Sequence, residues 1–422
     1  MNPMNYFLKY LICASFLLLL SFTPSENETN YWTRFRGADG LGIDSKAKAP
    51  VTWNESGLTW KIPLPGIGNA SPVVWGNTIF VTSADDEKDT GYLTAVDGRD
   101  GKVLWQKEFK VTDLTMHKDN KLAAQTPAVD QTMVYLVWYS KEKTSLIALT
   151  HDGTIRWQSE FGGMMSRHGG GSSPMLTDQC VIFTREQEKE YSTYTSTWLA
   201  VDKQTGKTVW ELERDSPENN SFATPLLHKR VNHPDQLIFA SQSHGLTGIV
   251  PSTGEVLWER KMLFVTRVIA SPFYADGMMV VSRNGETLVI DIDSTTNQAK
   301  DSARYKLPRI LSTYVPTPIV VNKLLFTFTD NGTVACTQLA DGRLLWKEKP
   351  SGPFYGSPIC VNGNLYCITK EGKVLVILAD STYKLLGINE LGEGSFSTPV
   401  LCKSGMVFRT FTQLMMVGNG DK

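Results

Sequence analysis

The 422-residue chain has almost no surplus charge of either sign: 42 Lys and Arg stand against 43 Asp and Glu, a formal net charge of -1. That balance removes any whole-molecule case for nucleic-acid binding. Cysteine is scarce, at six residues, and none forms a CxxC pair, so no metal-site spacing is present. Five lie beyond residue 25 (Cys180, Cys336, Cys360, Cys367 and Cys402), an odd number that argues against a disulfide framework. Buried free thiols are expected, with Cys360 and Cys367 open as a cross-strand pair around a turn at Gly363-Asn364. Histidine is sparse as well. His117, His151, His168, His228, His233 and His244 show no metal-pair spacing, and most are expected at the surface. Neither a Ser-His-Asp order, a His-Glu-x-x-His pair nor a P-loop occurs.

Long apolar runs are missing except for Tyr10 to Phe22, which is short for a bilayer span. Lys9 precedes it and small residues follow near Thr23 and Ser25, so residues 1–25 read as a secretory signal. An uncleaved anchor is the alternative. Cys13 lacks the small preceding residue that lipidation requires. The expected location is periplasmic or secreted, with no membrane span once the signal is cleaved.

What the chain has is repetition. Ser/Thr-Pro followed by an apolar run recurs at Ser71, Thr126, Ser173, Thr224, Ser271, Thr317, Ser357 and Thr398. Between them recurs a turn Gly with Trp four residues later: Gly101 with Trp105, Gly153 with Trp157, Gly206 with Trp210, Gly254 with Trp258, and Gly342 with Trp346. A period of roughly 40 to 50 residues built from short alternating strands predicts an array of β-units. The fold class is therefore all-β, an eight-bladed propeller of four-stranded antiparallel blades. The eighth unit ends near Val417 without an outer strand, and Leu58 to Ile62, carrying Trp60, is an orphan strand at the other end. Pairing the two closes the ring and removes exposed edges. The expected organisation is a signal at 1–25, an extension at 26–57 and a propeller at 58–418. Trp60, Trp105, Trp157, Trp210, Trp258 and Trp346 are assigned to packing between blades.

The phrase Asp202-Lys203-Gln204-Thr205-Gly206-Lys207-Thr208-Val209-Trp210 resembles the tryptophan-docking repeat of the pyrrolo-quinoline quinone (PQQ)-like propeller family. The segment from Trp32 to Gly40 resembles the leader found before the ring in secreted members. One branch of that family binds PQQ with calcium and oxidises alcohols or sugars. Another binds no cofactor and includes the propeller lipoprotein of the outer-membrane β-barrel assembly machinery. The resemblance implies the fold and leaves the branch open.

Residues just before each Ser/Thr-Pro are expected at the channel mouth: Asn69, Gln125, Arg167 with His168, Phe222, Arg267, Tyr314, Tyr355 and Phe396. Loops after the second strands add Arg185, Gln242, Arg283, Asp330 and Lys370. The cations among them suggest an anion-preferring mouth, and the aromatics a stacking surface. Ordinary solvated charges interspersed with acids such as Glu186 and Asp330 are the alternative. Clustered carboxylates for calcium and for a catalytic base are missing, so the reading is a non-catalytic, monomeric platform without cofactor. Its partner is an envelope protein or an anionic ligand. A PQQ- and calcium-dependent dehydrogenase and an anionic polysaccharide-binding protein are the alternatives. The run Gly169 to Gly171 precedes no helix and reads as a flexible or tightly turning loop rather than a phosphate cradle.

Overall fold

The computed structural model describes residues 31–111, 120–261, 267–283 and 285–418. The signal expected at residues 1–25, and His117, lie outside the described residues. Eight antiparallel sheets follow one another around a ring, one per Ser/Thr-Pro repeat. In the first, Val73–Trp75, Thr78–Asp85, Thr90–Asp97 and Val103–Lys110 run from the channel outward. The two middle strands are buried along most of their length, while the outermost alternates toward solvent. Leu58–Pro63 pairs with Gln413–Gly418 and supplies the outer strand of the eighth blade, closing the ring through both ends of the propeller. Among the described residues no helix is long and apolar enough to cross a membrane.

Each turn glycine serves the preceding blade. Gly101 has φ +76°, and a Cβ there would lie 2.8 Å from the Trp60 ring. Only glycine meets both conditions. Gly153, Gly206 and Gly254 receive Trp105, Trp157 and Trp210 in the same way. Each indole also donates to a turn carbonyl of the next blade, at 2.9 Å from Trp60 to Gly98 and 2.8 Å from Trp105 to His151. For Trp105, Trp157 and Trp210 the residue paired with the indole across the sheet is an alanine, Ala95, Ala148 and Ala200, with a bulge just beyond it, whereas Trp60 faces Met416.

Three blades depart from this contact: blades 4 and 5 replace it, and the outer strand of blade 7, Leu385–Glu390, carries no aromatic ring. Opposite Trp258 stands Gly248, and the extra space lets the indole settle over its own blade and donate to Gln236 at 2.9 Å. Arg260 then makes the tie to blade 5, its Nε donating to Ala299 O at 2.8 Å. Blade 5 has no Gly-to-Trp phrase, and Tyr305 replaces the indole. Its ring covers Gly342 and its hydroxyl donates to Leu339 O at 2.7 Å.

The hydroxyl in each Ser/Thr-Pro start has a task of its own. The backbone N–H of each such residue donates to the hydroxyl of the next one, at 3.0 Å for seven of the eight links. Between blades 3 and 4 the tie is Ser172 Oγ to Ala223 O at 3.4 Å. The belt lies in the buried interior, where an unmet N–H is costly.

The segment from Trp32 to Gly40 is part of the ring's interior. Tyr31–Trp32 pairs with the inner strand of blade 1, Thr33 O accepts from Val129 N of blade 2, and Ile43–Asp44 pairs in parallel with the inner strand of blade 7. The strap therefore crosses the channel at the hairpin ends of the inner strands. All five cysteines of the described residues are free and buried. Cys360 faces Leu365 and Ile359 faces Tyr366, so Cys367 lies two ladder steps from Cys360 and the alternative disulfide does not form. The turn falls at Asn362 and Gly363, one residue earlier than the sequence suggested.

Replacing Thr317 by Val keeps the shape of this buried side chain but removes the acceptor for Ser271 N–H. The expected loss is about 1–3 kcal/mol, whereas Thr317→Ser retains the acceptor and loses about 1 kcal/mol or less. Urea denaturation midpoints of the two variants check this.

Candidate functional site: the central cup

The belt and the strap enclose a cavity of about 280 Å3 on the channel axis. All eight belt residues line its waist and Phe35 of the strap lines its base, so it is a cup rather than a through-channel. Its mouth is built by loops entering the inner strands, because the Pro of each start fixes the chain direction immediately below. Asn69, His168 and Arg267 supply polar groups there, and Phe222, Tyr314, Tyr355 and Phe396 supply rings. Tyr355 and Phe396 meet edge to face at 4.7 Å. Asn120 reaches over from the loop after blade 1 and donates to His168 O at 2.6 Å. Gly169 to Gly171 form a close-packed part of this wall, since a Cβ on Gly170 would strike the Tyr139 ring at 2.2 Å.

The expected cations divide. Arg267 faces the cup, but its Nη2 donates to Glu188 Oε1 at 3.1 Å and to Asn219 Oδ1 at 3.2 Å. Glu188 is buried, so this is a desolvated ion pair. Arg167 turns outward to the Tyr191 hydroxyl and Glu190. Arg185 pairs with Glu211 at 3.7 Å and Arg283 with Glu286 at 2.7 Å, and neither contributes to the wall. Lys370 lies 4.0 Å above the Tyr355 ring and behind the wall. Each of the four arginines thus has a carboxylate at hand, and the field of an open cationic ring is largely cancelled.

The second set of loops holds the first. Asp330 accepts from Tyr314 N at 2.7 Å and Val315 N at 3.1 Å, and burial raises its carboxyl above the usual range. Gln242 accepts from Asn219 N at 2.7 Å, which places the amide that meets Arg267. Glu186, fully enclosed and likewise raised by burial, accepts from Ser221 N at 3.0 Å beside Phe222. Against the expectation that most histidines lie at the surface, His228 and His244 are buried, and that burial lowers their pKa values.

The sequence did not reveal Phe35, Asn120 and the belt hydroxyls as cup residues, nor Glu188 as the partner of Arg267 behind the wall. The belt had a signal, since every one of the eight starts carries a hydroxyl, where packing alone would accept Ala or Val. Among the described residues no Asp or Glu lines the cup, and no group of three or more His, Cys, Asp or Glu is placed for a metal. Calcium takes six to eight oxygen ligands, usually with carboxylates among them. The wall therefore does not fit PQQ held with calcium.

The ring, the docking repeat and the cup define the class, an eight-bladed propeller of PQQ-like repeats. The family model described as outer membrane protein assembly factor BamB matches residues 48–117, 89–313 and 304–384, and the chain belongs to that family. BamB of Yersinia pestis is 22% identical over 348 residues, 80% of this chain and 70% of its own length. BamB of Escherichia coli K12 is 22% identical over 356 residues, 74% of this chain and 86% of its own. Among solved structures, a europium-containing methanol dehydrogenase superposes with TM-score 0.67 at 13% identity, over 91% of this chain and 88% of its own. BamB from Moraxella catarrhalis superposes with TM-score 0.59 at 14% identity, over 85% and 97%. At these identities the structural likeness shows the fold alone.

Arg267→Ala leaves the buried Glu188 carboxylate without its partner. The expected loss is about 3–5 kcal/mol, and Arg267→Met combined with Glu188→Gln recovers most of it. Chemical denaturation of the single and double variants measures the difference.

Proposed function

We propose that this protein is an exported, non-catalytic propeller of the bacterial envelope that acts as a protein-interaction platform in outer-membrane protein assembly. The observation that carries this reading is the family match across most of the ring, with curated relatives named for that role. The chemistry of the cup supports it. A dehydrogenase needs a base beside its substrate, and the carboxylates behind the wall are committed, Glu188 to Arg267, Asp330 to Tyr314 N and Glu186 to Ser221 N. Deleting the gene in its host is expected to lower the amount of folded barrel proteins in the outer membrane, with recovery on complementation. Purified protein mixed with PQQ and calcium is expected to show no spectral uptake and no dye-linked oxidation of alcohols or sugars. Stoichiometric uptake with turnover overturns the proposal in favour of the dehydrogenase.

The rings of the cup favour a second, compatible reading, a site for a small uncharged ligand with a flat apolar face, such as a sugar ring. Aromatic stacking serves such a ligand, while the paired arginines offer little to a polyanion. Calorimetric titration of neutral and uronic-acid oligosaccharides tests it. Neutral sugars are expected to bind and Tyr355→Ala to abolish that binding. A preference for the uronic acids restores the anionic ligand.

A further inference from the structure

A second cavity, of about 560 Å3, opens on the opposite end of the ring, between the strap and the hairpins of blades 1 to 5. Its walls are largely apolar, with Trp75, Val129, Leu176, Leu226, Leu227 and Tyr274 prominent. Against them stands Arg34 of the strap, only 7% exposed.

Three arginines in this protein are buried without a carboxylate within 4 Å among the described residues: Arg34, Arg36 and Arg409. Arg36 and Arg409 donate to backbone carbonyls and line neither cavity. Arg34 differs because it faces open volume. Its Nε donates to Ala38 O at 3.2 Å, and its two terminal nitrogens lie across Gly40, where a Cβ would come within 2.5 Å of Nη2. Burial lowers its pKa to about 10, which leaves it charged at neutral pH.

The other charged groups around the cavity are engaged or outlying. Lys203 pairs with Asp130 at 3.1 Å. Asp39, the acid that acts on Arg34 through space, is exposed and accepts Leu41 N at 2.8 Å. Lys229 and Asp178 are exposed at the rim, and Lys229 lies 3.8 Å from Asp235. His228 meets Asn297 Oδ1 at 3.1 Å and packs on Tyr274.

A largely buried guanidinium whose terminal nitrogens make no hydrogen bond among the described residues, at the end of an apolar cavity, suits an anion that brings its own apolar body. We propose that this cavity binds apolar monocarboxylates, the carboxylate on the Arg34 terminal nitrogens and the hydrocarbon against Leu176, Leu226 and Leu227. The site is separate from the cup and owes its existence to the strap that closes the channel.

Calorimetric titration of the purified protein with octanoate, octanamide and acetate tests the assignment. Octanoate is expected to bind with one-to-one stoichiometry. Octanamide, which lacks the charge, and acetate, which lacks the chain, are each expected to bind about tenfold or more weakly. Arg34→Gln should reduce octanoate to the level of octanamide. Leu176→Trp, which fills the cavity from a half-buried position, should abolish binding while leaving the urea midpoint unchanged. If Arg34→Gln does not fold, the ligand comparison and Leu176→Trp decide. Equal binding of octanoate and octanamide, equal binding of octanoate and acetate, unaltered binding in Leu176→Trp, or no saturable heat with octanoate overturns the proposal.

Discussion

The ring depends on a belt of hydrogen bonds in which seven of the eight Ser or Thr residues before proline donate their N–H to the hydroxyl of the next. An inner strand starting with Ser/Thr-Pro keeps one free N–H just ahead of a residue that has none. Inside a propeller that donor sits away from water and must be met within the protein. The neighbouring hydroxyl meets it, and the same geometry recurs from blade to blade. The belt fixes the radius of the channel and thereby the width of the cup, while the indoles fix the spacing at the periphery. Inner and outer contacts together leave each blade little freedom to tilt.

The strap turns that ring into two compartments. Without it, a channel lined by hydroxyls would be open at both ends. Phe35 closes the base of the cup, and the same chain on its far side forms one wall of the second cavity. The strap must fold back sharply to do this, with Arg36, Gly37, Gly40 and Gly42 all at positive φ. The turn brings Arg34 and Arg36 inside the protein, an arrangement that costs desolvation and that a merely structural plug does not require.

Charge at the cup illustrates how a surface reading changes once partners are known. Arg167, Arg185, Arg267 and Arg283 come from loops that the repeat places on one face. Their acids lie up to 79 residues away, as between Arg267 and Glu188. The pairing leaves aromatic rings and neutral polar groups as the principal chemistry of the cup. It also ties the loop after the second strand of blade 3 to the loop entering blade 5, past the intervening blade 4.

The sequence by itself determined the blade count, the strand order and the closure of the last blade by Leu58–Pro63. These follow from short-range rules: strand alternation, turn glycines at a fixed offset from Trp, and an unpaired strand at each end. It also brought His168, Arg267, Tyr314 and Tyr355 to the cup wall, because their distance from the next Ser/Thr-Pro is a local quantity. Tertiary structure decided which arginines face the cup and which are drawn off by acids, since apart from Arg283 and Glu286 the partners lie 23 to 79 residues apart. It decided that Trp258 leans on its own blade and that Tyr305 takes the indole's place, outcomes set by the volume left at Gly248 and Gly342. It alone placed the strap across the channel, for nothing in the segment from Trp32 to Gly40 specifies the inner strands of blades 1, 2 and 7 until those strands exist to be paired.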